Sequence, residues 1–225
     1  MFDSFNNNGS DPRTLAQQRL RMVDEQLRGR GLRDERVLGA MAKVPRERFV
    51  GSEDVPNAYG DFPLPIGAGQ TISQPYIVAA MVQALEPHPE DRVLEVGTGT
   101  GYQAAVLAEL VREVWTIERH AELAQRAQEN LQGLSYSQVH VIHGDGSLGL
   151  PEHAPFDGIL VAAAAPRIPD ALVAQLADGG RLVLPVGSRL EQQVQVVRKL
   201  GDQISVTPHD PCRFVPLLGE EGWEP

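Results

Sequence analysis

The chain has 225 residues, 42% of them hydrophobic and 22% charged, which is typical of one globular domain with a sizeable core. Its formal net charge of −10 disfavours a nucleic-acid partner, because binding to polyphosphate depends on clustered Lys and Arg. The apolar runs are far shorter than the ~20 residues that span a bilayer, so we expect no membrane insertion.

The single cysteine, Cys212, cannot form an internal disulfide, which favours a reducing compartment, and we predict a cytoplasmic location. The scattered histidines form no HExxH or similar ligand pair, so we predict no metal site. Residues 1–13 are polar and Asn-rich, without the basic start and apolar middle of a secretory signal. We predict that they form a flexible tail, that residues 14–225 form one domain, and that the chain is a monomer.

Residues 14–75 are predicted to contain two helices and a functional loop. Apolar residues at helical spacing indicate a first helix over residues 14–28, ended by the glycines that follow. Asp34 is a candidate N-cap for a short second helix that ends before Pro45. The density of proline and glycine over residues 52–75 predicts a long ordered loop without regular helix or strand. Loops of this length are often functional.

After the loop, apolar strands alternate with amphipathic helices, which is typical of a largely parallel sheet with helices on both faces. The predicted strands cover residues 92–96, 114–118, 139–143, 158–162 and 181–186. The predicted helices cover residues 76–85, 102–112, 121–131 and 170–177. Residues 193–200 and 203–207 indicate an antiparallel hairpin, and residues 212–218 are a candidate for one more strand. We therefore predict an α/β fold: a doubly wound, mostly parallel sheet (residues 76–190) with N-terminal helices and an antiparallel C-terminal portion (residues 191–225).

The strongest local signal is VLEVGTGTGYQ, a buried strand followed by a glycine-rich turn and a helix. Gly97, Gly99 and Gly101 are expected where the backbone turns sharply against a ligand without a Cβ in the way. The pattern also satisfies a relaxed dinucleotide-binding fingerprint, and plain turn glycines are a second alternative. Glu95 favours a cationic amino-acid ligand, because an acid at this point would repel a pyrophosphate. S-adenosylmethionine, with its sulfonium and ammonium groups, fits that requirement.

Two more loops point to the same crevice. Glu118 ends the next strand, where an acid is expected to accept hydrogen bonds from ribose hydroxyls. In the GDG turn Asp145 is placed to bond an adenine amino group, with Gly146 beside it. The alternatives are a solvated strand end for Glu118 and a simple turn former for Asp145. Because carboxyl ends of parallel strands meet at one edge of a sheet, the three loops are predicted to converge.

The chain resembles the protein-L-isoaspartate O-methyltransferase family over nearly its whole length after the tail. The most specific stretch is AYGDFPLPIGAGQTISQP, residues 58–75, which methyltransferases in general do not share. Supporting matches are VPRERFV, VLEVGTGTGYQAAVLA, the GDG turn, ILVAAAAPRIPDAL, GGRLVLPVG and CRFVPLLGEEGW. The resemblance implies a Rossmann-like methyltransferase fold with S-adenosylmethionine as donor and S-adenosylhomocysteine as product. It implies methylation of the free α-carboxylate of L-isoaspartyl residues in damaged proteins and peptides, a repair reaction that continues by spontaneous succinimide formation.

The same resemblance assigns roles within QTISQP. Ser73 matches the active-site serine of the family and is expected to hydrogen-bond the substrate carboxylate rather than to attack it. The backbone of Thr71, Ile72 and Gln74 is expected to cover the cofactor and close the site, which would exclude water. For Ser73 the alternative is a helix N-cap ahead of Pro75.

The C-terminal segment resembles the part of the family that binds the substrate peptide through main-chain hydrogen bonds. Its residues are Arg213, Phe214, Val215, Pro216 and Leu217. For Arg213 the alternative is a solvated side chain on a sheet edge. One departure from the family is Tyr76, which stands where many members have histidine, so we assign it no catalytic role.

Three other functions remain as alternatives. The first is an S-adenosylmethionine-dependent methyltransferase with a small-molecule or RNA acceptor, although the acidic balance and QTISQP argue against RNA. The second is a nicotinamide-dependent oxidoreductase, which Glu95 and the lack of an evident Tyr-Lys pair argue against. The third is a non-enzymatic binding protein. The isoaspartyl carboxylate suits a sequence without a catalytic triad, because a group with a pKa near ~4 is already ionised and needs no general base.

Overall fold

The computed structural model describes residues 11–224. The β-strands are β1 (Leu64–Gly67), β2 (Gln70–Ile72), β3 (Arg92–Val96), β4 (Glu113–Glu118), β5 (Val139–His143), β6 (Phe156–Val161), β7 (Leu176–Gly187), β8 (Gln192–Leu200) and β9 (Gln203–Cys212). The α-helices are α1 (Pro12–Arg21), α2 (Glu35–Lys43), α3 (Pro75–Leu85), α4 (Tyr102–Ala108), α5 (Ala121–Gly133) and α6 (Asp170–Ala174). None of the helices in this part of the chain is both long and apolar enough to cross a membrane.

Strands β3 to β9 form a seven-stranded sheet in the order β5-β4-β3-β6-β7-β8-β9. Neighbours from β5 to β7 are parallel, whereas β7, β8 and β9 are antiparallel. This confirms the predicted fold class. The chain moves outward from β3 to β5 and then returns to β6 on the other side of β3. At such a switch point the loops after β3 and β6 diverge, and a crevice opens at the carboxyl edge of the sheet.

The centre of the sheet is buried on both faces. In β3, Val93, Leu94 and Val96 are each at most 2% exposed. Helix α4, which follows β3 directly, has all seven of its residues buried. Because β3 and α4 are covered on every side, this part of the sequence is rich in apolar and small residues.

The N-terminal helices pack against this core. Asp34 caps α2 as predicted, since its side chain accepts hydrogen bonds from the amides of Arg36 and Val37. Helix α1 begins at Pro12, two residues earlier than predicted, because the Asp11 side chain caps it. The chain continues from α1 through a π-helical stretch and a 3-10 turn to Gly31, whose φ of +98° ends the helix. The first ten residues of the predicted tail lie outside the described residues.

The prediction that residues 52–75 lack regular structure is wrong. The segment contains a 3-10 helix at Ser52–Asn57 and the antiparallel hairpin of β1 and β2. Leu64, Ile66 and Ile72 of this hairpin are buried in the main hydrophobic core. Burial of these alternating apolar side chains stabilises two short strands despite the neighbouring prolines and glycines.

Other predicted bounds also differ: β7 begins at Leu176 rather than at residue 181, and β9 extends to Cys212 rather than to residue 207. Helix α4 ends at Ala108, earlier than the predicted residue 112. Helix α6 ends at Ala174, because the carbonyl of Gln175 accepts a hydrogen bond from Phe156 N at 2.9 Å and the chain joins the sheet. The strand predicted over residues 212–218 is wrong. Strand β9 ends at Cys212, and the following segment makes only isolated bridges, between Pro216 and Ala164 and between Leu218 and Trp223.

Candidate active site

A cavity of about 910 Å³, including its open mouth, lies at the carboxyl ends of β3, β4 and β6. Ten of the predicted site residues line it: Thr71, Ile72, Ser73, Gly97, Gly99, Glu118, Gly146, Val215, Pro216 and Leu217. Six of them do not line it: Gln74, Glu95, Gly101, Asp145, Arg213 and Phe214. The structure therefore brings the glycine-rich turn, QTISQP and the C-terminal segment to one crevice.

The glycine-rich turn has the backbone conformation that only glycine adopts readily. Gly97, Gly99 and Gly101 have φ values of +93°, +55° and +96°. A Cβ on Gly99 would lie 3.1 Å from Ile66 Cδ1, across the cavity wall. Gly101 starts α4 instead of facing the cavity, and a Cβ there would lie 3.1 Å from Leu131 Cδ1. Gly97 and Gly99 thus leave space for a ligand, and Gly101 allows close packing of the helix.

Glu118, at the end of β4, connects the glycine-rich turn to the start of the loop that follows β4. Its carboxylate accepts hydrogen bonds from Gly99 N at 2.9 Å and from His120 N at 3.0 Å. Each carboxylate oxygen has a further lone pair, so the side chain can still accept hydrogen bonds from a ligand. Glu118 lines the cavity and is 5% exposed. The alternative of a solvated strand end is therefore wrong.

Glu95 lies beneath the cavity wall and is fully buried. One carboxyl oxygen accepts a hydrogen bond from Thr116 Oγ1 at 2.5 Å, and the other has no partner among the described residues. Gln103 Nε2, on a side chain that lines the cavity, also has no partner there. Burial raises the pKa of Glu95 to about 8. The neutral carboxyl group therefore predominates at pH 7, and a nearby cation would favour its ionised form.

The Asp145 carboxylate accepts hydrogen bonds from other residues of the chain. One oxygen accepts hydrogen bonds from Ser147 N at 2.9 Å and Ser147 Oγ at 2.8 Å, and the other accepts from Glu220 N at 3.0 Å. This carboxylate holds the C-terminal segment against the GDG turn and does not face the cavity. Its neighbour Gly146 does line the cavity, and a Cβ there would lie 2.5 Å from Val96 Cγ1.

Ser73 lies between the end of β2 and the start of α3, on the cavity wall. The N-cap position of α3 is Gln74, so the N-cap alternative for Ser73 is wrong. Its hydroxyl makes no hydrogen bond with any residue in the range 11–224 and is available to a ligand. The Gln74 side chain turns away from the cavity and donates to Asp61 Oδ2 at 2.8 Å.

The C-terminal segment reaches the cavity only from Val215 onward. Ala164 N donates to Val215 O, and Leu217 N donates to Ala164 O, both at 2.8 Å. These bonds place Val215, Pro216 and Leu217 beside the loop after β6. Arg213 is exposed and makes no ion pair within the described part of the chain, which matches the alternative of a solvated side chain.

The sequence reasoning missed several residues that line the cavity. They include Tyr102, Gln103, Arg119, His120, Ala162 and Ala163. Ala162 and Ala163 follow β6, the third strand that ends at the crevice, and the switch-point rule alone would have identified that position. Tyr102 and Gln103 are the first residues of the helix after the glycine-rich turn.

The family model for "Protein-L-isoaspartate(D-aspartate) O-methyltransferase (PCMT)" matches residues 17–222. The chain belongs to this family. A protein-L-isoaspartate O-methyltransferase of Koribacter versatilis is 60% identical over 211 residues, which cover 94% of this chain and 95% of that protein. One of Methanoregula boonei is 54% identical, with coverage of 95% and 98%. The resemblance inferred from QTISQP and its companion motifs is thereby confirmed.

Solved structures of the PCMT family agree with the fold. A protein-L-isoaspartate O-methyltransferase superposes with a TM-score of 0.82 at 27% identity, covering 92% of this chain and 67% of that chain. A Plasmodium falciparum protein assigned to the same family was solved in complex with S-adenosyl-L-homocysteine. It superposes with a TM-score of 0.77 at 26% identity, covering 89% and 98% of the two chains.

Proposed function

We propose that this chain transfers the methyl group of S-adenosylmethionine to the free α-carboxylate of L-isoaspartyl residues in damaged proteins and peptides. The observation that carries the proposal is that Ser73 and the glycine-rich turn line the same cavity. Family membership supports the same reaction. The proposal includes a cytoplasmic location, which the single cysteine supports, and no nucleic-acid partner, because the net charge of −10 disfavours one. It also includes a monomer.

The residues around the cavity fit S-adenosylmethionine. When bound, it supplies a methyl group activated by a positive sulfur. Glu95 and Gln103 have buried polar atoms without partners, which suits the ammonium and carboxylate groups of an amino acid. Glu118 would accept hydrogen bonds from the ribose hydroxyls, and Gly146 would lie against the adenine. The family structure that contains S-adenosyl-L-homocysteine supports this choice of ligand.

The acceptor needs positioning more than activation. A carboxylate with a pKa near ~4 is ionised at neutral pH, so no residue has to remove a proton. Ser73 would donate its free hydroxyl to this carboxylate and hold it in line with the methyl group. Alignment of this kind can contribute ~7–11 kcal/mol to a barrier reduction. Thr71 and Ile72 would cover the bound cofactor and exclude water.

The polypeptide on either side of the lesion would bind to the C-terminal segment. Val215, Pro216 and Leu217 line the cavity, so a peptide that reaches Ser73 passes them. Recognition through main-chain groups would tolerate many flanking sequences, which a repair enzyme requires. Arg213, the exposed first residue of this segment, would attract the anionic substrate at longer range.

A matched pair of synthetic peptides tests the proposal. The two peptides have one sequence and differ only in carrying isoaspartate or aspartate at a central position. With methyl-labelled S-adenosylmethionine, we expect label in the isoaspartyl peptide, followed by release of labelled methanol as the succinimide forms. Label in the aspartyl peptide alone would refute the proposal. Label in neither peptide, together with tight binding of S-adenosylhomocysteine, would favour a small-molecule acceptor instead.

A further inference from the structure

Asp61 is a hydrogen-bond acceptor for three groups on two different parts of the chain. Its Oδ2 accepts from Arg30 Nη1 at 2.7 Å and from Gln74 Nε2 at 2.8 Å. Its Oδ1 accepts from Tyr76 N at 3.3 Å. The carboxylate therefore ties the region after α1 to the residues immediately after Ser73.

These contacts lie at a point of the chain that belongs to neither a helix nor a strand. Strand β2 ends at Ile72 and α3 begins at Pro75, so Ser73 and Gln74 belong to neither element. The first amides of a helix lack intrahelical partners, and an N-cap side chain normally accepts from one of them. Gln74, at the N-cap, makes no such bond. Asp61 takes that role from a distant position by accepting from Tyr76 N, and it also holds the Gln74 side chain.

The Tyr76 side chain makes two further contacts that hold the same segment. The Arg30 guanidinium lies over the Tyr76 ring, 3.4 Å from its centroid. The Tyr76 hydroxyl donates to Asp210 on β9, at 3.2 Å. Arg30 is thus held by both the Asp61 carboxylate and the Tyr76 ring, and the two contacts restrict the position of its guanidinium group.

We propose that Asp61 is a positioning residue for methyl transfer, which fixes the Gln74–Tyr76 backbone and thereby the Ser73 hydroxyl. This inference rests on the proposed function. A shift of about 1 Å in a group that aligns a substrate can lower turnover ~100-fold. The cofactor would be little affected, because the Asp61 contacts lie on the side of the loop that faces away from the cavity.

The test compares Asp61→Ala, which removes all three acceptor contacts, with Asp61→Asn, which keeps one acceptor oxygen. The matched control is Asp157→Ala, at the amino-terminal end of β6, where the Asp157 side chain accepts a hydrogen bond from Arg92 N at 2.8 Å. For Asp61→Ala we expect kcat on the isoaspartyl peptide to fall ~10- to 100-fold, with the Kd of S-adenosylhomocysteine within about twofold of wild type. Asp61→Asn should recover part of the loss, and the control should keep the wild-type kcat.

A second measurement does not require turnover. Amide hydrogen exchange over residues 70–77 should be faster in both Asp61 variants than in wild type and unchanged in the control. Unchanged kcat in Asp61→Ala, or a fall in kcat equal to that of the control, would overturn the positioning role. If wild type methylates neither peptide, the proposed function fails, and unchanged exchange over residues 70–77 would then overturn the inference separately.

Discussion

Binding of S-adenosylhomocysteine should release a proton from Glu95. Burial raises the pKa of this carboxyl to about 8 in the free chain, so the protonated form predominates at pH 7. An ammonium group bound near the unpartnered oxygen would stabilise the carboxylate and lower its pKa. We therefore expect release of up to one proton per ligand at pH 7, and binding should strengthen up to ~tenfold per pH unit as the pH rises toward 8.

Titration calorimetry at pH 7 in two buffers with different ionisation enthalpies measures this proton release. S-adenosylhomocysteine serves as the ligand because it cannot react. The variant Glu95→Gln retains the shape and most hydrogen bonds of the side chain but has no titratable proton. It should show close to zero proton release and a flatter dependence of affinity on pH. Equal proton release in wild type and Glu95→Gln, or none in wild type, would refute the placement of Glu95 next to the ammonium group.

Three substitutions test other parts of the site. Ser73→Ala should lower kcat ~10- to 100-fold, because one hydrogen bond to a charged group contributes ~1.5–3 kcal/mol. Calorimetry should give an unchanged Kd for S-adenosylhomocysteine. Unchanged kcat would remove Ser73 from the mechanism. Gly99→Ala should weaken the binding of S-adenosylhomocysteine ~10-fold or more, because φ at Gly99 is +55° and the new Cβ would lie 3.1 Å from Ile66. Wild-type affinity in this variant would show that the turn does not contact the ligand. Asp145→Ala should lower the free energy of unfolding by ~1–3 kcal/mol in denaturant titration, because the Ser147 and Glu220 amides lose their acceptor; an unchanged midpoint would contradict that role.

The central sheet was predictable because its strands are buried on both faces. Strand β3 matches its predicted bounds of residues 92–96, since an apolar run ends there at a glycine-rich turn. The hairpin of β1 and β2 was missed because strands of four and three residues are too short for alternation to outweigh nearby prolines and glycines. Burial of Leu64, Ile66 and Ile72 against the core decides their structure, and that contact is not visible locally.

The site was predictable in its main loops but not in the direction of every side chain. The position of Gly99 followed from a glycine-rich motif directly after a predicted strand, that of Glu118 from the end of the next strand, and that of Ser73 from the family resemblance of QTISQP. Asp145 was expected to face the cavity, but its carboxylate accepts a hydrogen bond from Glu220 N, which is 75 positions away in the sequence. Asp61 was missed for the same reason, because its partners Arg30 and Gln74 are 31 and 13 residues away. No local spacing rule reports such contacts.

The most direct test is a crystal structure of the chain with S-adenosylhomocysteine and an isoaspartyl peptide. We expect Ser73 Oγ within hydrogen-bond distance, ~2.5–3.0 Å, of the isoaspartyl α-carboxylate. One oxygen of that carboxylate should lie in line with the sulfur, at the place where the methyl group would be. A complex in which the carboxylate binds elsewhere, with Ser73 facing solvent, would contradict the account.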